Sequence, residues 1–397
     1  MMYGQWIGEV ELPDAKANAM LCIDADRPNE FMFHILRGKD SFGVLANATM
    51  TGGAISLKPF VLFKADENGD LYAPPTLSAD EVRQRDDTAI SISFDGDGFQ
   101  GHWSLGDQGG SISLRSPSKE RCLEPADCAS WTEFQDWAHQ IRAKHGAALY
   151  RGHGSNTFRL QTTLHRAGRF RLDRYWSETV PQFRDHAETV LGTRFRKEDG
   201  DDQATVLGLA QHHGLPTPLL DLTLSPYVAA FFAFSDVVEA QRDPAKHTHV
   251  RIYAFTPGFL QTAWRPMVRI PQIDLYLASL TISSRSNPRL YAQQGRFLVT
   301  NIAELEGFIR WHETTSGTRS MYAADIPVGL ARDALEDLAF MGLTAASMFP
   351  GLDGVGKMMR HQMLFSGQSS QHFSEQIKTE ALDEKLGIAT LNAQEKT

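Results

Sequence analysis

Read for polarity alone, the first 116 residues repeat one theme, short strand-like runs rich in apolar residues and broken by turn residues. Such runs fall at Gln5 to Leu12, Ala19 to Ile23, Phe31 to Leu36, Phe42 to Met50, Ala54 to Phe63, Ala89 to Phe94, Phe99 to Leu105 and Ser111 to Arg115. Side chains alternate across a strand, so each run predicts a strand with one buried face. Turn signals separate them at Arg37-Gly38, Gly52-Gly53, Asn68-Gly69, Asp95-Gly96 and Gly109-Gly110. The spacing predicts an antiparallel β-barrel or sandwich over residues 1–116, with Trp6 and Trp103 in its core. No acid–base pair stands out there, so this part reads as a sensor, dimer surface or target-binding module.

The period then changes. Residues 117–130 read as a linker, and Ser130 caps a helix from Trp131 to His145 that Gly146 stops. Ala147 to Tyr150 predicts a strand ending in Arg151. Residues 173–200 and Ala204 to Gln211 predict helices. Leu219 to Ser225 alternates, which puts Asp221, Thr223 and Ser225 on one face of a strand. Pro226 suits a first helical turn with Ser225 as N-cap, and the apolar run Val228 to Phe234 predicts a buried helix. That helix is expected to cover the opposite face of the strand with Phe231 and Phe232. Further on, His249 to Phe255 and Gln293 to Val299 read as strands, Gly258 to Ser279 as mixed, Ser283 to Arg289 as polar loop, and Pro327 to Met341 as an amphipathic helix. These elements predict an α+β domain with a mixed sheet over residues 131–362, followed by a polar tail at 363–397.

Charge sharpens this division. Residues 1–130 hold 11 Lys and Arg against 20 Asp and Glu, whereas residues 131–397 balance at 28 of each. Within the balanced part, residues 151–174 carry six arginines and one acid. They read either as a solvated helix face or as a phosphate-binding surface, since the guanidinium fork matches phosphate oxygens. Cys22, Cys122 and Cys128 are too few and too scattered for a disulfide framework or a zinc site. No apolar run approaches about 20 residues and no leader pattern opens the chain, so the expectation is a cytoplasmic protein without a membrane span.

The chemistry concentrates in four stretches. They are Tyr150-Arg151-Gly152, the long run Gln211-His212-His213-Gly214-Leu215-Pro216-Thr217-Pro218-Leu219-Leu220-Asp221-Leu222-Thr223, then Gln293-Gln294-Gly295-Arg296-Phe297, and finally Phe349-Pro350-Gly351-Leu352-Asp353-Gly354. Walker, zinc-protease and nucleophile-elbow patterns do not occur in the sequence. Adjacent His212 and His213 are poorly spaced to share one metal, so no metal is expected.

In their order and wording these stretches resemble the FRG domain family over roughly residues 131–360; Pro218 stands where that family usually has Arg. The order of an Arg, a Thr-x-Ser strand and a late polar residue also resembles the ADP-ribosyltransferase core of the Arg-Ser-Glu type. That resemblance implies NAD as cofactor. Arg151 would hold the phosphates beside Gly152, and Thr223 and Ser225 would support the nicotinamide pocket. His212 and Asp221 would line the cofactor. Gln294 would stand where the ribose-orienting Glu belongs, and Asp221 or Glu304 would supply the missing charge. The resemblance further implies a toxin or anti-phage defence effector that modifies a macromolecule. Two alternatives stay open. One is a non-catalytic nucleotide- or nucleic-acid-binding module, with Arg151, Arg159, Arg166, Arg169 and Arg171 on phosphates. The other is a scaffold in which Asp221 and His212 form a buried polar network. A homo-oligomer is a further expectation.

Overall fold

The computed structural model of the chain describes residues 2–117, 123–240, 243, 245–257, 270–280, 282 and 288–363. Cys122, most of the mixed stretch after Gly258, most of the polar loop at 283–289 and residues 364–397 of the tail lie outside these.

The N-terminal alternations form β1 (Gly4–Glu11), β2 (Lys16–Ile23), β3 (Glu30–Leu36), β4 (Phe42–Thr51), β5 (Ala54–Ala65), β7 (Ala89–Phe94), β8 (Gly98–Leu105) and β9 (Gln108–Arg115). Each pairs antiparallel with the next, and β9 returns to β1, so eight strands close into a barrel rather than a sandwich. The two-residue β6 (Leu71–Tyr72) extends β5, and helix α1 (Ala79–Asp87) interrupts the meander before β7. Close approach of backbones bends the wall: a Cβ at Gly8 would lie 2.0 Å from the Ser113 carbonyl oxygen. Trp6 stands edge-on to Phe99 at 4.9 Å in one half of the interior, while Trp103 is half-buried and donates its indole N–H to the Glu11 carbonyl.

The rest of the described chain is a seven-stranded sheet in the order β10-β16-β13-β11-β12-β15-β14. Its strands are β10 (Ala126–Asp127), β11 (Leu149–His153), β12 (Leu219–Thr223), β13 (His249–Phe255), β14 (Leu277–Leu280), β15 (Gly295–Thr300) and β16 (Met321–Pro327). All pairings are antiparallel except β10 with β16, so the sheet is mixed and the fold is α+β. The linker read at 117–130 therefore contributes an edge strand. The helices are α2 (Trp131–His145), α3 (Thr163–Arg166), α4 (Leu172–Arg174), α5 (Val180–Leu191), α6 (Gly200–His212), α7 (Pro226–Ala240), α8 (Pro288–Ala292), α9 (Leu305–Ser316), α10 (Ala331–Phe340) and α11 (Ala345–Met348). Among the described residues no helix is long and apolar enough to cross a membrane, and no group of three His, Cys, Asp or Glu could hold a metal.

The sheet is covered on both faces. Tyr150, Ile252 and Ala254 join α2, α7 and α10 on one side, while Leu220, Leu222, Tyr253 and Phe255 meet Leu305 and Ile309 of α9 on the other. Thr223 pairs directly with Tyr150, and paired residues share a face. So α7 folds back over the face that carries Asp221 and Thr223, not the opposite one.

Barrel and sheet meet over an ionic junction. Asp24, with no exposed surface, accepts from the main-chain N–H of Phe170 (2.6 Å) and of Arg171 (3.0 Å), and pairs with Arg174 (3.1 Å) and Arg169 (3.3 Å). Arg171 is itself buried between Asp173 and Glu30, and Arg174 also reaches Asp26. Gln5 of β1 donates to the Asn301 carbonyl at 2.7 Å and accepts from the Ala303 N–H at 3.0 Å. Around these groups Met20, Cys22, Met32 and Leu45 of the outer barrel wall pack on Phe170, Ile273 and Ala303. Burial pushes the Cys22 thiol up to about 12, so it behaves as an apolar side chain.

Candidate functional site

The long motif folds as one clamp. Asp199 caps α6 through the N–H groups of Asp201 and Asp202, and α6 ends at His212, where Gly214 turns the chain with φ +81°. The Gln211 amide then works in both directions: its oxygen accepts from the Thr217 hydroxyl, and its nitrogen donates to the Asp221 carboxylate at 2.7 Å. Thr217 is fixed in turn by Thr163, whose hydroxyl accepts from the Thr217 N–H at 2.9 Å. The Gln…Thr…Asp spacing thus holds the Asp221 carboxylate in place while half its side-chain surface stays open.

Arg151 and Gly152 have separate tasks. β11 and β12 pair at a single register position, Tyr150 with Thr223. Beyond it the Arg151 guanidinium replaces the ladder, donating to the Asp221 carbonyl at 2.8 Å and lying 3.8 Å from its carboxylate. Its Nε donates to His153 at 3.1 Å. Burial lowers the basicity of this guanidinium, and the Asp221 charge partly offsets that. At Gly152 a Cβ would sit 1.9 Å from the Ala229 carbonyl oxygen, so only glycine lets α7 approach the strand this closely.

The remaining residues named from sequence divide into two groups. Thr223 is 5% exposed and spends its hydroxyl on the Gln293 carbonyl at 2.8 Å. His212 lies edge-on to Phe297 with its Nδ1 2.9 Å from the Gly208 carbonyl, and burial pulls its pKa down against the pull of Asp221. Both line the cavity described below. Ser225 does not: it caps α7, accepting from the Val228 N–H at 3.3 Å. Gln294 is not on a strand either. It sits in the turn before β15 at φ +48°, exposed, offering its carbonyl to the Leu224 N–H at 3.2 Å. The strand expected from Gln293 begins two residues later, at Gly295, so Gln294 falls in the turn that precedes the strand and not on the sheet. Glu304 pairs with Arg159 at 3.0 Å away from the cavity. Arg169 and Arg171 are held by barrel carboxylates, which turns them away from any solvent-borne phosphate.

All four motifs converge on a cavity of about 310 Å³. Tyr150, Arg151 and Gly152 come from the first, Gln211, His212, Asp221 and Thr223 from the second, Gln293, Gly295, Arg296 and Phe297 from the third, and Phe349 from the last. Phe232 of α7 closes one side, edge-on to Phe349 at 5.7 Å, and Arg289 of α8 stands 5.9 Å over the Phe349 ring. Three guanidinium groups and one carboxylate therefore share a pocket with aromatic walls. That combination suits an anionic ligand with a flat ring. Sequence reasoning missed Arg289, read as part of a polar loop, and Phe232, assigned to the opposite face. Gln211 and Phe349 stood in quoted motifs without a role.

No curated protein and no solved structure matches the chain. A family model described as the FRG domain matches residues 146–242, the span that contains Tyr150-Arg151-Gly152 and the whole Gln211-to-Thr223 clamp. The chain carries an FRG domain.

Proposed function

We propose that the cavity is the site of an NAD-dependent ADP-ribosyltransferase-like enzyme. The observation that carries the reading is the convergence of Arg151, Arg289, Arg296 and Asp221 on one aromatic-walled pocket. The residues fit part of the cofactor well. Arg289 and Arg296 are placed to take phosphate oxygens as forks, while Arg151 is already engaged with Asp221 and adds its charge from the pocket wall. Tyr150, Phe232, Phe297 and Phe349 offer ring surfaces to a base. The volume lies at the low end for small-molecule sites, so a whole dinucleotide would extend beyond the pocket.

NAD, when bound, supplies a labile bond between nicotinamide and a ribose carbon. The chain's contribution is electrostatic. Asp221, aimed by Gln211, is the carboxylate able to stabilise positive charge developing on a sugar, the task Gln294 is too far turned out to perform. Thr223 acts through Gln293, whose carbonyl it holds and whose own amide donates to the Met348 carbonyl at 3.0 Å, fixing the pocket floor. The acceptor in this reading is a macromolecule, and the role is that of a toxin or anti-phage defence effector; the motif resemblance supports this.

The test is to titrate NAD into the full chain while following nicotinamide release. Release that Asp221→Asn abolishes supports the transferase. A second reading, nucleotide binding without turnover, is favoured by the engagement of the Thr223 hydroxyl and the displacement of Gln294. It is supported instead if NAD or a mononucleotide binds, Arg296→Glu weakens binding, and no nicotinamide appears.

A further inference from the structure

The barrel interior is filled unevenly. In one half Trp6, Phe31, Phe94 and Phe99 interlock, with centroid separations of 4.9 Å for Trp6–Phe99, 4.9 Å for Phe94–Phe99 and 5.8 Å for Phe31–Phe99. In the other half, Val10, Ile35, Val44 and Ile112, with the rings of Phe33 and Trp103, line a cavity of about 310 Å³. Native interiors rarely leave voids much larger than a water, and an apolar cavity of about half this size holds benzene. Eight-stranded barrels either fill with side chains or hold one small ligand. This barrel does the first at one end and leaves room for the second at the other.

Polar groups occur only at the mouth: Lys64, Glu81, Gln84, Arg85 and Thr88. Three of them belong to α1, which lies over the opening. No residue of α1 is fully buried. It is held by its capping box, by the Lys64–Glu81 pair at 2.6 Å and by Lys58 donating to the Asp86 carbonyl. Such exposed contacts fasten a helix weakly. Lys64 and Glu81 neutralise each other, and Asp86, the partner of Arg85, does not line the cavity. Arg85 meets Asp86 through its Nε, and its guanidinium lines the mouth as a hydrogen-bond donor over an apolar interior.

We propose that this half of the barrel binds a small amphiphile with an apolar body and one anionic end, of the medium-chain carboxylic acid class, which enters beneath α1. The body lies among Val10, Ile35, Val44 and Ile112, and the carboxylate meets Arg85 and Gln84. The modest volume suits a small molecule.

The test uses the full chain and anilinonaphthalene sulfonate, an apolar ring system with one anion, as fluorescent probe. Decanoate should displace it at one equivalent per chain, and decanol, with the same body but no charge, should displace it more weakly. Val44→Phe fills the cavity and should weaken both by about tenfold or more. Arg85→Glu, on the exposed helix where folding is not at risk, should weaken decanoate by about fivefold and leave decanol unchanged. Absence of displacement, or a Val44→Phe chain that melts normally and binds undiminished, overturns the site. Decanol equal to decanoate, or insensitivity to Arg85→Glu, overturns the anionic end. If Val44→Phe does not fold, Arg85→Glu alone decides.

Discussion

The Arg151 guanidinium donates to the Asp221 main-chain carbonyl at 2.8 Å, at the point where β11 and β12 stop pairing. One side chain thus substitutes for a missing rung of the sheet and also sets the charge of the pocket wall. Arg151→Lys keeps the charge but not the fork, and leaves the Asp221 carbonyl or His153 short of a partner. It should cost about 1–3 kcal/mol in urea unfolding and also weaken nucleotide binding. An unchanged unfolding midpoint would show that the bridge contributes nothing to the fold.

Asp221 and Gln294 separate cleanly. Asp221→Asn preserves the shape and the Gln211 contact but removes the carboxylate, and should reduce nicotinamide release by about a hundredfold or more with little change in thermal stability. Gln294→Ala alters an exposed side chain outside the pocket and should leave release within about twofold. Kinetics of both variants at saturating NAD decide it; the reverse ranking would return Gln294 to the site.

Gly152→Ala drives a methyl into the Ala229 carbonyl. The chain should lose about 2–3 kcal/mol or repack α7, visible as a lowered melting temperature. A variant of unchanged stability would mean the helix shifts freely.

Two fully buried histidines contribute to the acid response. Burial lowers His34 to about 4, against smaller upward pulls from Asp173 and the Ile273 carbonyl, and lowers His165 to about 3. An unfolded histidine titrates near 6.5, so below that pH the unfolded chain binds protons that the folded chain refuses. Stability from these sites is therefore complete above about pH 6.5 and falls as pH drops toward 4, by about 1.4 kcal/mol per unit for each histidine. Replacing His165 by Phe, beside the ring of Phe170, should lower the slope of stability against pH between 6.5 and 4.5 by about 1.4 kcal/mol per unit. A slope unaffected by the substitution would place the acid sensitivity elsewhere.

The barrel strands were legible because alternation is a local signal. Its closure was not, since the β1–β9 pairing joins distant stretches such as Ile7 and Arg115. Helix α1 went unseen for want of an apolar face. The arginines after Arg151 show a different obstacle. A guanidinium fork fits a phosphate and a carboxylate equally, and the acids that claim Arg169, Arg171 and Arg174 lie some 140 residues upstream. One clue was present in Ala19 to Ile23, an unbroken apolar run where alternation should appear. In β2 both faces are buried, Leu21 inside the barrel and Met20 and Cys22 beneath the second sheet. Of the site, the motifs identified the elements, but a strand start expected two residues too early, at Gln293 instead of Gly295, sufficed to misplace Gln294.

The Asp24 junction bears on the order in which the chain is made. The barrel leaves the ribosome first, with a carboxylate destined for complete burial and no partner until residues 169–174 follow. Its outer wall of Met20, Cys22, Met32 and Leu45 waits longer still, for Ile273 and Ala303. A nascent chain halted between these points would present a formed barrel with a sticky, charged flank, a natural target for chaperones and proteases. Completion of the second sheet is what removes that flank from view.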